Sequence, residues 1–75
     1  MRIFLFGQLT DIAASGSIDV EEVSSTEELI HVICKHYPAM EHANFAIAVN
    51  KKIVSGNVLV APGAEIALLP PFSGG

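Results

Sequence analysis

The chain has 75 residues, 51% of them hydrophobic, and a formal net charge of −4 with four Lys and Arg. This length allows one small domain, and the shortage of basic residues argues against binding of nucleic acid or an anionic membrane surface. No apolar run reaches the roughly 18 residues that a membrane-spanning helix needs. The single cysteine excludes an intramolecular disulfide, and the first residues lack a signal-peptide pattern, so we expect a cytoplasmic protein.

The N-terminal part of the chain predicts two β-strands. Residues 2–6 (Arg-Ile-Phe-Leu-Phe) form a short apolar run that ends at Gly7, and we expect a strand buried on both faces. Ile18, Val20 and Val23 follow in near alternation with polar residues, which predicts a second strand with one solvent-facing side.

One amphipathic helix is predicted next. Ser25, with Glu28 three residues later, forms a capping-box pattern at its start. Pro38 disfavours helical geometry at the preceding residue, so the helix should end near residue 36. The apolar stripe at helical spacing consists of Leu29, Val32, Ile33 and His36.

The rest of the chain predicts further strands at residues 45–49, 52–54 and 65–69, separated by turns. The order β-β-α-β-β-β requires the helix to cover one face of the sheet and distant strands to close its centre. We therefore predict an α+β fold of the β-grasp type, a mixed sheet crossed by one main helix. The apolar runs at residues 3–6 and 66–69 should be adjacent and parallel.

The C-terminal end is the most informative part of the sequence. We expect residues 1–69 to form the folded domain and residues 70–75 to form an extended carrier tail. Proline fixes φ and holds a segment extended, and glycine without a Cβ atom can enter a narrow channel. The candidate functional residues, in chain order, are Pro70, Pro71, Phe72, Ser73, Gly74 and Gly75.

Each part of this tail has an expected role. Phe72 is an aromatic anchor for a partner's pocket, and Pro70, Pro71 and Ser73 supply contacts around it. The terminal glycines would carry the α-carboxylate of Gly75 into another protein's active site. The large apolar fraction of so small a chain also suggests that part of its surface is a partner-binding face.

The remaining reactive side chains are weaker candidates. Cys34 lies at the edge of the apolar stripe, without a setting that stabilises a thiolate, so we interpret it as a packing residue. The three histidines lack the spacing of a zinc site; we expect His36 to be half-buried in the core and His31 to be solvated. We predict no metal and no cofactor bound by this chain, and the absence of a phosphate-binding glycine loop assigns ATP to a partner.

The ending at residues 68–75, with its Pro-Pro-x-Ser-Gly-Gly motif, resembles that of the small subunit of molybdopterin synthase, a ubiquitin-like sulfur carrier. Residues 2–6, 35–38 and 48–50 are similar to the same family. The resemblance implies that an ATP-dependent adenylyltransferase activates Gly75 and that a persulfide protein then supplies sulfur. The resulting thiocarboxylate would donate sulfur to a pterin precursor held by the molybdopterin synthase large subunit. The chain would then be a non-catalytic sulfur-donor subunit of a transferase.

Two other classes of function remain open at this point. The chain could be a carrier for thiamine synthesis or tRNA thiolation, or a ubiquitin-like modifier joined to proteins through an isopeptide bond. Alternatively, it could be a β-grasp interaction domain whose tail is incidental. The last alternative predicts that deletion of Gly75 leaves function intact.

Overall fold

A computed structural model of the protein describes residues 1–70. We number the strands β1–β5 and the α-helices α1 and α2, and a single 3₁₀-helix follows α2. The elements in chain order are β1 (Arg2–Leu5), α1 (Leu9–Ala13), β2 (Ser17–Asp19), α2 (Thr26–His36), the 3₁₀-helix (Pro38–His42), β3 (Ala46–Val49), β4 (Lys52–Val54) and β5 (Ile66–Leu69).

The five strands form one mixed sheet in the order β2-β1-β5-β3-β4. The first and last strands of the chain are adjacent and parallel, with Ile3 opposite Ile66 and Leu5 opposite Leu68. All other pairings are antiparallel. The prediction of a β-grasp fold with a parallel central pair is therefore confirmed.

The hydrophobic core lies between one face of this sheet and α2. Leu29 and Ile33 on the helix are fully buried, as their spacing of four residues predicts. They belong to the same cluster as the inward-facing strand residues Ile3, Leu5, Ile47, Ile66 and Leu68. Met40 from the 3₁₀-helix belongs to the same cluster.

The prediction that the first strand is buried on both faces is wrong. Along β1 exposed and buried residues alternate, so that Ile3 and Leu5 point into the core. Phe4 is 39% exposed, and Phe6, directly after the strand, is 49% exposed. The reason is that the helices of the described chain cover only one face of the sheet, so a continuously apolar strand leaves alternate side chains in solvent.

The predicted helix start is confirmed, with one change in its hydrogen bonds. The Ser25 Oγ atom accepts the backbone N–H of Glu28 at 3.2 Å. The Glu28 carboxylate accepts from the backbone N–H of Ser24 at 2.8 Å, one residue before the position that a capping box uses. The Asn57 side chain accepts the N–H of Glu27 at 3.0 Å. Side chains of the protein itself therefore already accept the free backbone N–H groups of Glu27 and Glu28 at the start of this helix.

The prediction that His36 belongs to the core is also wrong. Its side chain is 44% exposed, and its Nε2 atom lies 2.7 Å from Oε1 of Glu21. As the last residue of α2, it lies past the end of the buried stripe formed by Leu29 and Ile33. The hydrogen bond with His36 lowers the pKa of the Glu21 carboxyl. His31 is exposed, as expected.

Candidate functional site

The strand that leads into the tail occupies the centre of the sheet. β5 pairs with β1 on one side and with β3 on the other. The backbone N–H of Phe6 donates to the Leu68 carbonyl at 3.2 Å, and Leu69 lies opposite Ala46. The chain is therefore held on both sides as far as Leu68 and by β3 alone at Leu69, the last residue of the strand.

The first residue of the tail also packs on the domain. Pro70 is half-buried, and its ring lies directly against Gly7, in the turn between β1 and α1. Beside this contact is a shallow cavity of about 280 Å³. Besides Pro70 it is lined by Gln8, Leu9, Ile12, His42, Ala43 and Asn44. The root of the tail therefore has a fixed position relative to β1 and α1.

The other predicted site residues lie outside the described part of the chain. Pro71, Phe72, Ser73, Gly74 and Gly75 are the residues concerned, and their expected roles stay predictions. The structure thus defines where the tail begins. The function of the tail rests on its sequence.

The side of the sheet opposite α2 carries a second candidate site, an apolar surface. Phe4 lies opposite Ala67, Ala67 opposite Ala48, and Ala48 opposite Ile53, so these residues form one row across four strands. Directly opposed residues project to the same side of a sheet. We define the open face as this row together with the neighbouring residues nearer the tail: Phe4, Phe6, Ala46, Ala48, Ile53, Ala67 and Leu69.

The open face has the composition of a protein interface. Three of its large side chains are exposed: Ile53 is 58% exposed, in addition to the two phenylalanines, whereas Leu69 is half-buried and Ala48 is buried. An ion pair between Arg2 Nε and Asp19 Oδ1, 3.3 Å apart, lies next to the apolar row. An apolar centre with charged residues at its border is the usual arrangement of a protein-binding surface. The sequence suggested that such a face exists but placed Phe4 and Phe6 inside.

Other reactive groups of the described residues do not assemble into a site. No group of three His, Cys, Asp or Glu within residues 1–70 could hold a metal ion. Burial raises the pKa of the Cys34 thiol, which disfavours the reactive thiolate. In the same part of the chain, no helix has both the length and the apolar character needed to cross a membrane.

Comparison with known proteins agrees with this geometry. The structure is similar to that of SAMP1 from Haloferax volcanii, with a TM-score of 0.77 and 25% sequence identity. The match covers 100% of this chain and 98% of that chain. The sequence model of the ThiS family matches residues 3–75, which include both the sheet and the whole tail. The chain therefore belongs to the ThiS family of ubiquitin-like sulfur carriers, which work with activating enzymes and partner subunits.

Proposed function

We propose that this chain is the sulfur-carrying small subunit of a molybdopterin synthase. The observation that carries the proposal is the Pro-Pro-Phe-Ser-Gly-Gly ending at residues 70–75. The position of β5 supports it, because a tail attached to a central strand leaves the domain from a fixed point. Membership of the ThiS family supports the sulfur chemistry but leaves the acceptor of the sulfur open.

The proposed reaction begins at the α-carboxylate of Gly75. A terminal carboxyl has a pKa of about 3.5 and is ionised at neutral pH, which makes it a poor electrophile. Attack of this carboxylate on the α-phosphorus of ATP forms an acyl-adenylate and releases pyrophosphate. A persulfide on a sulfur-donating protein then displaces AMP from the acyl carbon. A thiol of that donor reduces the remaining S–S bond, which leaves a thiocarboxylate on Gly75 and a disulfide on the donor.

The ATP in this scheme belongs to the activating enzyme. The sequence has no phosphate-binding glycine loop. The start of α2, where a phosphate could otherwise bind, already has Ser25 and Asn57 as acceptors for two of its N–H groups. The carrier therefore contributes the reacting carboxylate and the surface that a partner recognises.

We assign the open face to the large synthase subunit. Leu69 belongs to this face and is followed at once by Pro70, so a partner that covers the face also receives the tail. Burial of the exposed aromatic surface would drive the association. The net charge of −4 and the ionised thiocarboxylate favour a basic surround at the partner's channel.

A two-stage experiment tests the proposal. In the first stage, the carrier is incubated with ATP, an activating enzyme and a persulfide donor, and intact-mass analysis should show replacement of one oxygen by sulfur. A control variant with one residue added after Gly75 should not react, because its carboxylate is displaced. In the second stage, the thiocarboxylated carrier is mixed with the synthase large subunit and its pterin precursor, and mass spectrometry should detect a sulfur-containing pterin.

Each alternative function predicts a different result. Consumption of the thiocarboxylate by a thiazole-forming or tRNA-thiolating system, without transfer to the pterin, would assign the carrier to those pathways. Isopeptide adducts of Gly75 on other proteins would indicate a modifier. Absence of adenylation in the wild-type protein would contradict the sulfur-carrier role of the tail altogether.

A further inference from the structure

We propose that Gly7 is a positioning residue that, through its contact with Pro70, sets the direction in which the tail leaves the domain. This inference rests on the proposed function, because the direction of the tail matters only if its carboxylate reacts. The contact joins two segments that are far apart in sequence, the turn after β1 and the residue after β5. It therefore links the fold directly to the reactive end.

The two residues approach more closely than any side chain at position 7 would allow. A methyl group at Gly7 would lie 2.6 Å from Cγ of Pro70 and 3.4 Å from its Cδ. Carbon atoms in favourable contact are about 3.5–4.0 Å apart. Gly7 also has a φ of +60°, a conformation that favours glycine. Both the space and the backbone conformation therefore require glycine here.

Neither segment can move away easily. On one side, the Gly7 carbonyl accepts hydrogen bonds from the Thr10 hydroxyl at 2.8 Å and from the Thr10 backbone N–H at 3.2 Å. Leu9, the first residue of α1, is only 3% exposed. On the other side, Leu68 accepts the N–H of Phe6. The pyrrolidine ring is closed onto the backbone nitrogen, so Cγ cannot rotate away like the end of an open side chain; it can move only by a change of ring pucker or together with the chain at Pro70. An added methyl group would therefore displace the start of the tail.

A displaced tail should affect catalysis more than recognition. The reacting carboxylate is five residues beyond Pro70 and follows any change in the direction of the tail, whereas the substitution leaves the exposed side chains of residues 1–69 available to an activating enzyme. Misplacement of a reacting group by about 1 Å can lower a rate by about 100-fold. We expect Gly7→Ala to lower kcat for adenylation at least about 10-fold, with KM for the carrier within about 2-fold of the wild-type value.

The chain contains a matched control at Gly56. This residue also has a positive φ, +72°, but no heavy atom lies within 4 Å of a methyl group placed there. Gly56→Ala therefore introduces the same backbone strain without a clash. Its unfolding midpoint in urea should fall as expected for an alanine at positive φ, while its kcat and KM for adenylation should stay at wild-type values.

A rescue experiment separates the contact from general destabilisation. Pro70→Ala removes Cγ and Cδ and keeps Cβ, which would lie 3.7 Å from a methyl group at Gly7, an ordinary contact distance. In the Pro70→Ala background, Gly7→Ala should lower kcat no more than Gly56→Ala does. If Gly7→Ala alone does not fold, the double variant should fold, because the clash has been removed.

Three results would overturn the inference. These are equal kcat values for Gly7→Ala and Gly56→Ala, additive losses of kcat in the double variant, and failure of the double variant to fold. The kcat values are measured with an activating enzyme that adenylates the wild-type carrier, and folding is measured by urea unfolding. Absence of that wild-type reaction would instead count against the proposed function, so the two failures are distinguishable.

Discussion

The open face makes a quantitative prediction for Phe6. A phenylalanine side chain buries about 150–250 Å² when it is fully enclosed, and Phe6 is 49% exposed. A partner that covers it would remove about 100 Å² from water, which at about 25 cal/mol per Å² is worth about 2.5 kcal/mol. Alanine keeps a small part of this contact, so we expect Phe6→Ala to weaken partner binding by about 2 kcal/mol, or about 30-fold in Kd.

Isothermal titration calorimetry with the synthase large subunit measures this loss. The matched control is Leu59→Ala: Leu59 is 86% exposed but bridges to Ser25 at the start of α2, away from the open face. Its substitution should change Kd less than about 2-fold, as for a residue outside the interface. Urea unfolding of both variants confirms that folded proteins are compared. A Kd for Phe6→Ala within 3-fold of wild type, or an equal loss with Leu59→Ala, would refute the assignment of the open face to this partner.

Four further predictions concern the start of α2, the exposed hydrogen bond between Glu21 and His36, and the tail. Thr26 is 1% exposed and makes two hydrogen bonds to the loop after β4; Thr26→Val should lower the free energy of unfolding in urea by about 2 kcal/mol, and Thr26→Ser should lower it less. The hydrogen bond with His36 lowers the pKa of Glu21 in the folded state. The ionised Glu21 carboxylate therefore stabilises the fold above the ordinary glutamate pKa, and this stabilisation is lost as the pH falls through the lowered pKa. The difference in unfolding free energy between wild type and Glu21→Gln should vanish in acid. In the tail, Phe72→Ala should weaken the complex by about 2 kcal/mol, whereas Gly74→Val should preserve Kd and block sulfur transfer.

Most of the fold could be predicted because its signals are local. Capping and periodicity predicted the helix that the structure has at Thr26–His36. Pro62 and Gly63 are typical of the second and third positions of a type II turn, and the Ala64 N–H donates to the Ala61 carbonyl at 3.1 Å across that turn. The φ of +80° at Gly63 agrees with that turn. Two apolar runs at opposite ends of the chain were enough to predict the parallel central pair.

The features that sequence reasoning missed depend on context. Helix α1, Leu9–Ala13, is only five residues long, which is too short to display a helical period in the sequence. The 3₁₀-helix at Pro38–His42 is also only five residues long, so it too shows no helical period in the sequence. Whether Phe4 and Phe6 face the core or solvent depends on how many layers cover the sheet, which an apolar run alone does not specify.

The two parts of the candidate site, the tail and the contact between Gly7 and Pro70, also differ in whether a local sequence pattern indicates them. The proposed role of the tail rests on consecutive residues, 70–75, which resemble the ending of known carriers. The contact between Gly7 and Pro70 has no comparable signal. Gly7 looks like an ordinary strand-ending glycine until the fold brings β1 beside β5. Long-range packing of this kind is absent from local sequence patterns.

The strand order gives the proposed reactive end a defined starting point in the fold. Terminal residues are usually poorly ordered, because they lack partners on one or both sides. Here the last strand is placed between β1, which pairs with it as far as Leu68, and β3, which pairs with it as far as Leu69. An edge position would leave one side unpaired and let the end fray. A tail rooted in the central strand therefore starts from a defined point at Pro70, whose ring packs against Gly7.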